Sequence, residues 1–359
     1  MGTVRPFLRE DIPEVVALRR ATFPQTHRPE ESDLTDYLRT MFFDGPWCDE
    51  SLPSKVYEDR SGRVAGFLGV FPRQMRLCDQ PVRAAVFTQL MVAPQARGIA
   101  AVELLRDFFH GPQDFSLSDA ANEPARRLCE RLGATTALLY SMCWTRPLRP
   151  WRYAASRIGG GVAQRGIRFA ARPLMRAADE AATRLDGSWF RQTAPPTQSV
   201  SLSVATMVEE WPGMAREHTL AGCFDEALLE FVVRGVEMKH EFGSLERVLV
   251  RDASGSVVGW YLYYVNSGDI AHVVHLAAAP GRYGEVLDHL FYEAWERGAI
   301  AVRGRFTPRH CAELEAKRCV LGRDEPWTIV HSHRPEILAA VGRGDALLSR
   351  LDGEFWMTF

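Results

Sequence analysis

Long apolar runs are missing: nothing in the 359-residue chain approaches the roughly 20 residues that a membrane-spanning helix needs. The opening residues, MGTVRPFLRED, hold no apolar core of the kind a secretory leader carries. Paired cysteines are missing too. Cys48, Cys78, Cys129, Cys143, Cys223, Cys311 and Cys319 are scattered, odd in number and without a C-x-x-C pair. That argues against a disulfide framework or a structural zinc site and suits a reducing cytoplasm. Net charge is only −2, so no global field selects nucleic acid or a membrane. No Gly-Lys-Ser/Thr completes a Walker loop, and no G-x-G-x-x-G opens a dinucleotide-binding unit. The histidines promise no metal. His272 and His275 are three apart on an expected strand, so period two sets them on opposite faces. His331 and His333 are two apart, but no carboxylate or cysteine neighbour completes a ligand set.

What is present is an ordinary globular composition, 46% hydrophobic and 25% charged. The length calls for two cores. The most informative stretch is Phe87–Phe109, FTQLMVAPQARGIAAVELLRDFF. An apolar, β-favouring run ends at Pro94, which has no amide for a ladder. After Gln95-Ala96-Arg97-Gly98-Ile99-Ala100, apolar residues recur at helical spacing: Ile99, Val102, Leu104, Leu105 and Phe108. A glycine at a helix entrance admits a ligand close to the backbone. The amides of the first turn and the helix dipole favour an anion there, a phosphate or pyrophosphate.

Strand, Q-x-x-G-x-A loop and helix together resemble the coenzyme A loop of the GNAT acyltransferase superfamily. A second stretch, Ser116–Ala134, resembles that superfamily's next signature: a strand, Asn122 at a helix start, then an A-x-x-L-x-x-x-L-G run. The resemblance covers about Val4–Trp144. It implies a mixed, mostly antiparallel α/β sheet flanked by helices. It also implies acetyl-CoA or another acyl-CoA as donor, held by Gln95, Ala96, Arg97, Gly98, Ile99 and Ala100 and by the edge of Leu90, Met91 and Val92. In the superfamily the strand carrying those last three bends at a bulge, and the pantetheine arm fills the gap beyond it. The resemblance gives Asn122 a hydrogen bond to that arm, and Met91 or Val92 an amide that polarises the thioester carbonyl.

Two expected groups are replaced. The superfamily's tyrosine acid falls at Cys129, so the leaving thiolate takes its proton from Cys129, from Tyr140, or leaves unaided. The superfamily's glutamate base falls at Gln89, which cannot act as one. Asp119 is the best substitute, with helix capping as its ordinary alternative. His27 is a minor further base.

Around this core the order reads as strand Val4–Leu8, helix Ile12–Ala21 capped by Asp11, helix Ser32–Phe43, strands Ser54–Glu58 and Val64–Phe71, then a hairpin about Asp79-Gln80-Pro81. Ala137–Trp144 is expected to be the last strand. Tyr37, Phe42, Phe43 and Trp47 are either core or acceptor pocket. From Arg146 to Arg184 nine arginines meet no lysine and two acids, with Gly159-Gly160-Gly161 and Pro173 as breaks. This is a linker packed on the fold, or a cationic surface for an acyl carrier protein, an anionic glycolipid or a membrane face. Nucleic acid has no accompanying motif.

Val200–Phe359 repeats the element order of the first half. At its equivalent loop, Ala279-Pro280-Gly281-Arg282-Tyr283-Gly284-Glu285 lacks the signature and places Glu285 where phosphate would lie. The expected plan is 1–145 as the acyl-CoA-binding unit, 146–198 as linker and 199–359 as a degenerate copy. The implied reaction is acyl transfer to an amine or hydroxyl of a small-molecule, sugar or lipid-precursor acceptor. A CoA-responsive protein without catalysis, or a carrier-protein-dependent transferase, are the alternatives.

Overall fold

The computed structural model describes residues 2–23, 30–158, 162–323 and 326–357, with the side chains of 162–172 outside that description. His27 and Gly159-Gly160-Gly161 lie outside the described residues. In chain order the elements begin with β1 (Thr3–Pro6), α1 (Ile12–Thr22), α2 (Glu31–Phe42), β2 (Lys55–Glu58), β3 (Val64–Leu77) and β4 (Gln80–Val92). They continue through α3 (Ile99–Phe109), β5 (Phe115–Ala121), α4 (Glu123–Arg131), β6 (Thr135–Thr136) and β7 (Cys143–Pro147). Next come α5 (Pro150–Arg157), α6 (Val162–Arg184), β8 (Gln198–Ser201), α7 (Val204–Ala215), β9 (Leu220–Gly222) and α8 (Glu226–Glu237). After β10 (Ser244–Arg251), β11 (Val257–Val265) and β12 (Ile270–Ala278) follow α9 (Tyr283–Glu296), β13 (Ala301–Arg305), α10 (Cys311–Ala316) and β14 (Val320–Gly322). β15 (Trp327–His331), α11 (Pro335–Gly342) and β16 (Ala346–Leu347) come last.

Two sheets result, both mixed and mostly antiparallel. The first runs β1-β2-β3-β4-β5-β15-β6, with β9 on the far part of β3 and β16 on β9. The second runs β14-β7-β13-β12-β11-β10-β8. Each has a parallel pair at its centre, β4 with β5 and β12 with β13.

The chain divides into two compact units. One holds Met1–Ser141, His218–Gly235 and Glu325–Phe359; the other holds Met142–Glu217 and Val236–Asp324. These are not the contiguous blocks 1–145 and 199–359 expected from the sequence. The departure begins at Ala137–Trp144, which is not the last strand of the first sheet. It makes a 3-10 turn at Leu138–Ser141 and then enters β7, which pairs with β13 and β14. The place beside β5 belongs to β15 instead. Alternation explains the choice: Ile329 and Val330 are both fully buried, and each joins a different apolar cluster, one on either side of the strand. Tyr140 belongs to the second of those clusters, and its hydroxyl donates to Ala346 O and accepts from Ala346 N.

Two local expectations also change. Asp11 does not cap α1. Its carboxylate accepts the Leu8 N–H at 2.9 Å and two bonds from the Arg5 guanidinium at 2.7 and 2.9 Å, a charge-assisted pairing that outcompetes the cap. His272 and His275 do not face opposite ways. A bulge in β12 sets His275 opposite Leu262 and His272 opposite Tyr264, and those two partners lie on one face of β11. Their surroundings still differ: His275 packs by Trp211 and Trp260, His272 by Phe242.

Gly304 on β13 pairs with Trp144 on β7, whose indole is fully buried. A methyl group at 304 would come within 2.5 Å of that ring. Gly304→Ala is expected to lower stability by about 1–3 kcal/mol in urea unfolding. Gly322→Ala, with open space around it, leaves the midpoint unchanged.

Candidate active site

The site of the first unit begins where β4 ends. Ala93 N still bonds to Ala65 O, Pro94 stops the ladder, and a 3-10 turn at Pro94–Ala96 leads to Gly98. Gly98 has φ +94° and is the N-cap of α3, whose first turn receives no side-chain cap. A Cβ at 98 would meet nothing within 4 Å, so glycine is needed there for its backbone angle and not for room. The helix is fixed from below by Ala100, Leu104, Leu105, Phe108 and Phe109, all buried. Gln95, Arg97, Gly98 and Ile99 are exposed and Ala96 is half-buried, so the first-turn amides open to solvent. Of the strand edge, Leu90 and Val92 are half-buried and Met91 is wholly buried, leaving Met91 only its backbone to offer a ligand.

Upstream, β4 carries a bulge. Phe67 pairs with Met91 and Gly69 with Thr88, so Gln89 and Leu90 together face a single residue of β3. Gln89 takes φ +51° to do this. On the other side of β4 the parallel ladder to β5 spans only Ala84–Val86 against Phe115–Leu117. Beyond it the two strands part.

Where they part, the C-terminal segment enters. The Glu354 carboxylate accepts the Ser118 hydroxyl at 2.5 Å and the Ala120 N–H at 3.0 Å. Its own N–H donates to Asp119 Oδ1 at 2.6 Å. Thr88 on β4 is directed at the same carboxylate, outside ordinary hydrogen-bond geometry. Glu354 is 5% exposed and Asp119 3%. Burial above all, then the charge of Asp119, pushes Glu354 up to about 7; the bonds from Ser118 and Ala120 pull the other way. Gly353 is required by this approach, since a Cβ there would lie 2.1 Å from the Asp119 carboxylate.

The segment is pinned at several points. Arg73, buried on β3, reaches Asp352 at 3.4 Å, and Asp352 accepts Ser349 N and Oγ at 2.8 Å each. Trp356 packs edge-on against Phe71 and Phe231. Gln89 Nε2 donates to the Tyr37 hydroxyl, which in turn donates to Met357 O. Burial raises Tyr37, and so does the nearby charge of Glu354. Tyr37, Gln89, Thr88, Ser118, Asp119 and Glu354 thus converge on the parting of β4 and β5.

The residues singled out in the sequence are distributed as follows. The loop from Gln95 to Ala100, the edge Leu90–Val92 and Asp119 adjoin this parting. Asn122 caps α4, accepting Ala125 N at 3.0 Å, the task considered for Asp119. Cys129 is 1% exposed within the main apolar cluster, and burial pushes its thiol up to about 12. Tyr140 is held by Ala346 as described, and burial raises it as well. Glu354 escaped the sequence reading altogether. Its one signal was the neighbouring run Phe355-Trp356-Met357, whose apolar side chains call for burial.

In the second unit the start of α9 carries a charge cluster. Arg282, its N-cap, bridges Asp252 at 2.7 Å and Glu285 of the first turn at 2.7 Å. Among the described residues no group of three or more His, Cys, Asp or Glu could hold a metal ion, and no helix is long and apolar enough to cross a membrane.

No protein-family model and no curated protein sequence matches the chain. Solved structures do. A GCN5-related N-acetyltransferase from Anabaena variabilis superposes with a TM-score of 0.61 at 13% identity, covering 92% of this chain and 72% of that one. The fold is that of the GNAT acyltransferases. A GCN5-related N-acetyltransferase from Kribbella flavida gives 0.57 at 12% identity, with 92% and 72% covered. A probable N-acyltransferase from Enterococcus faecalis gives 0.59 at 11%, with 92% and 73% covered. Identities this low speak for the GNAT fold, while the chemistry rests on the residues themselves.

Glu354 makes a stability prediction. Its ordinary value is 4.5, so between pH 4.5 and about 7 the folded chain keeps a proton that the unfolded chain has released. Its contribution to stability is therefore fully present below 4.5, falls as pH rises, and is lost above 7. Glu354→Gln removes the charge but keeps an acceptor. The variant should be more stable than the parent at pH 8, by up to the order of 3 kcal/mol, and close to it at pH 4.5, measured by urea unfolding at both values.

Proposed function

We propose that the first unit transfers an acyl group from acyl-CoA to an amine, with Glu354 as the general base. The observation that carries this is the buried carboxylate, raised to about 7, at the parting of β4 and β5. It lies on the unit whose β4 runs on into the open, glycine-entered start of α3. A base with that affinity can take up, near neutral pH, the proton that an amine acceptor sheds as it attacks the thioester. The anion-favouring start of α3, from Gln95 to Ala100, would take the pyrophosphate of the donor. The backbone of Leu90–Val92 would take its arm and the thioester carbonyl. Asn122 retains its side-chain amide N–H groups as donors toward the arm while Oδ1 caps α4.

Asp119 then has a different task from the general base expected of it. It holds the Glu354 backbone and its charge keeps Glu354 basic. The departing thiolate leaves unaided, since Cys129 is enclosed in the apolar cluster and burial pushes its thiol up to about 12, too weak an acid for the task. The second unit is read as a GNAT-type copy without a CoA site, its helix start occupied by the Arg282, Asp252 and Glu285 cluster. The donor is acetyl-CoA or a longer acyl-CoA, the acceptor a small molecule, sugar or lipid precursor. The free cysteines suit a cytoplasmic setting.

Calorimetric titration with acetyl-CoA and longer acyl-CoAs tests the donor site. Binding should be lost in Gly98→Asp, which forces φ +94° on a residue with a side chain and sets a carboxylate at the anion site. No binding by the parent chain would end the CoA reading. Turnover with an amine panel tests the base. The rate should rise through an ionisation near pH 7, and Glu354→Gln should cost about 10²–10⁴-fold in kcat with that ionisation gone. Asp119→Asn should move the same ionisation to lower pH. Tight binding with no turnover of any amine would favour a CoA-responsive binding protein instead.

A further inference from the structure

We propose that the helical hairpin α5–α6 of the second unit is a docking surface for an anionic phospholipid bilayer. The inference is independent of the acyl-transfer reading. It starts from an apolar stripe that the fold leaves uncovered. Leu174, Ala177, Ala181 and Leu185 follow one another at steps of three and four, so they share one face of the helix. Leu185 stands just past the end of α6, its N–H still bonded to Ala181 O. All four are exposed, Leu174 at 76% and Leu185 at 64%. At opposite ends of α5, Trp151 and Ile158 are exposed as well. A helix that turns its leucines outward has found no partner for them among the described residues.

Charge says what the partner is. The segment from Arg146 to Arg184 carries nine arginines against two acids, in a chain whose total charge is −2. Both acids are engaged. Asp179 is buried between Trp151 N and Arg152 Nε, at 2.9 and 2.8 Å, and Glu180 pairs with Arg184. Arg146 and Arg149 are drawn inward onto backbone carbonyls. Arg157 on α5 and Arg176 on α6 are exposed.

Outward leucines, an exposed tryptophan and arginines suit a helix lying in the plane of a membrane interface. The apolar chains enter the acyl boundary while guanidinium groups take lipid phosphates in bidentate pairs. The stripe from Leu174 to Leu185 runs about 16 Å along a straight helix face, a line rather than a cluster. Nucleic acid would leave those leucines in water. An acidic protein would answer the arginines but gives no reason for an exposed apolar line.

The test is co-sedimentation of the full chain with phosphatidylglycerol vesicles and with phosphatidylcholine vesicles. The expected result is pelleting with the first and little with the second, weakened by added salt. Leu174→Glu with Leu185→Glu should cut partitioning by about ten-fold or more, with the melting curve of the protein unchanged because both sites are exposed. Arg157→Glu with Arg176→Glu should cut it as well and flatten the salt dependence. Absence of pelleting, or pelleting that both double variants retain, overturns the proposal. So does self-association in ultracentrifugation that the leucine variant abolishes without any vesicle binding, since a second copy would then cover the stripe. Capture of an acidic carrier protein in place of vesicles overturns it too.

Discussion

Two parallel strands that part inside a protein create a problem of unsatisfied backbone, and the first unit is arranged around solving it. β4 and β5 share a ladder only as far as Val86 and Leu117. Beyond that point the N–H of Ala120 takes its acceptor from outside the β4–β5 ladder. The chain supplies Glu354, carried in from the far end of the sequence. The solution is costly in charge, because a carboxylate enters a buried site beside Asp119. On the proposed acyl-transfer reading, that cost is what makes the residue useful as a base. A well-solvated glutamate would be a poor base for an ammonium group, and this one is shifted into range by the burial that lets it satisfy the backbone.

The bulge belongs to the same arrangement. Putting Gln89 at positive φ turns β4 away from β5 while keeping Met91 packed against the core. Gly69, opposite Thr88, gives way to this turn, since a side chain there would collide with Phe42 and with Thr88 itself. Gln89 then uses its amide to hold Tyr37, and Tyr37 holds the backbone at Met357. The bulge and the C-terminal segment are thus connected through two side chains.

How much of this was legible in the sequence depended on distance along the chain. The loop from Gln95 to Ala100 could be read because every determinant is local: a proline that ends a strand, a glycine that starts a helix, and apolar residues at helical spacing. The two-sheet plan could be read from element order. Ala137–Trp144 misled because an apolar stretch after a helix signals a strand or a turn but not the sheet it will join. That choice was made by Ile329 and Val330, almost 200 residues away. The histidine pair misled for a smaller reason, one extra residue in β12 that inverts the alternation. Glu354 was invisible for the reason it matters: its partners Ser118, Asp119 and Ala120 are more than 230 residues upstream, and no local pattern reports such a pairing.

The place of β15 and the C-terminal segment in the first sheet has a consequence for how the protein is made. Residues up to Thr136 can be synthesised and can collapse, yet the open edge of β5 has no neighbour until about residue 331 has left the ribosome, and the parting beyond it stays unfilled until Glu354 follows. For most of translation the first unit therefore presents a bare strand edge, the feature most prone to pair with another chain. The half synthesised first is the half finished last.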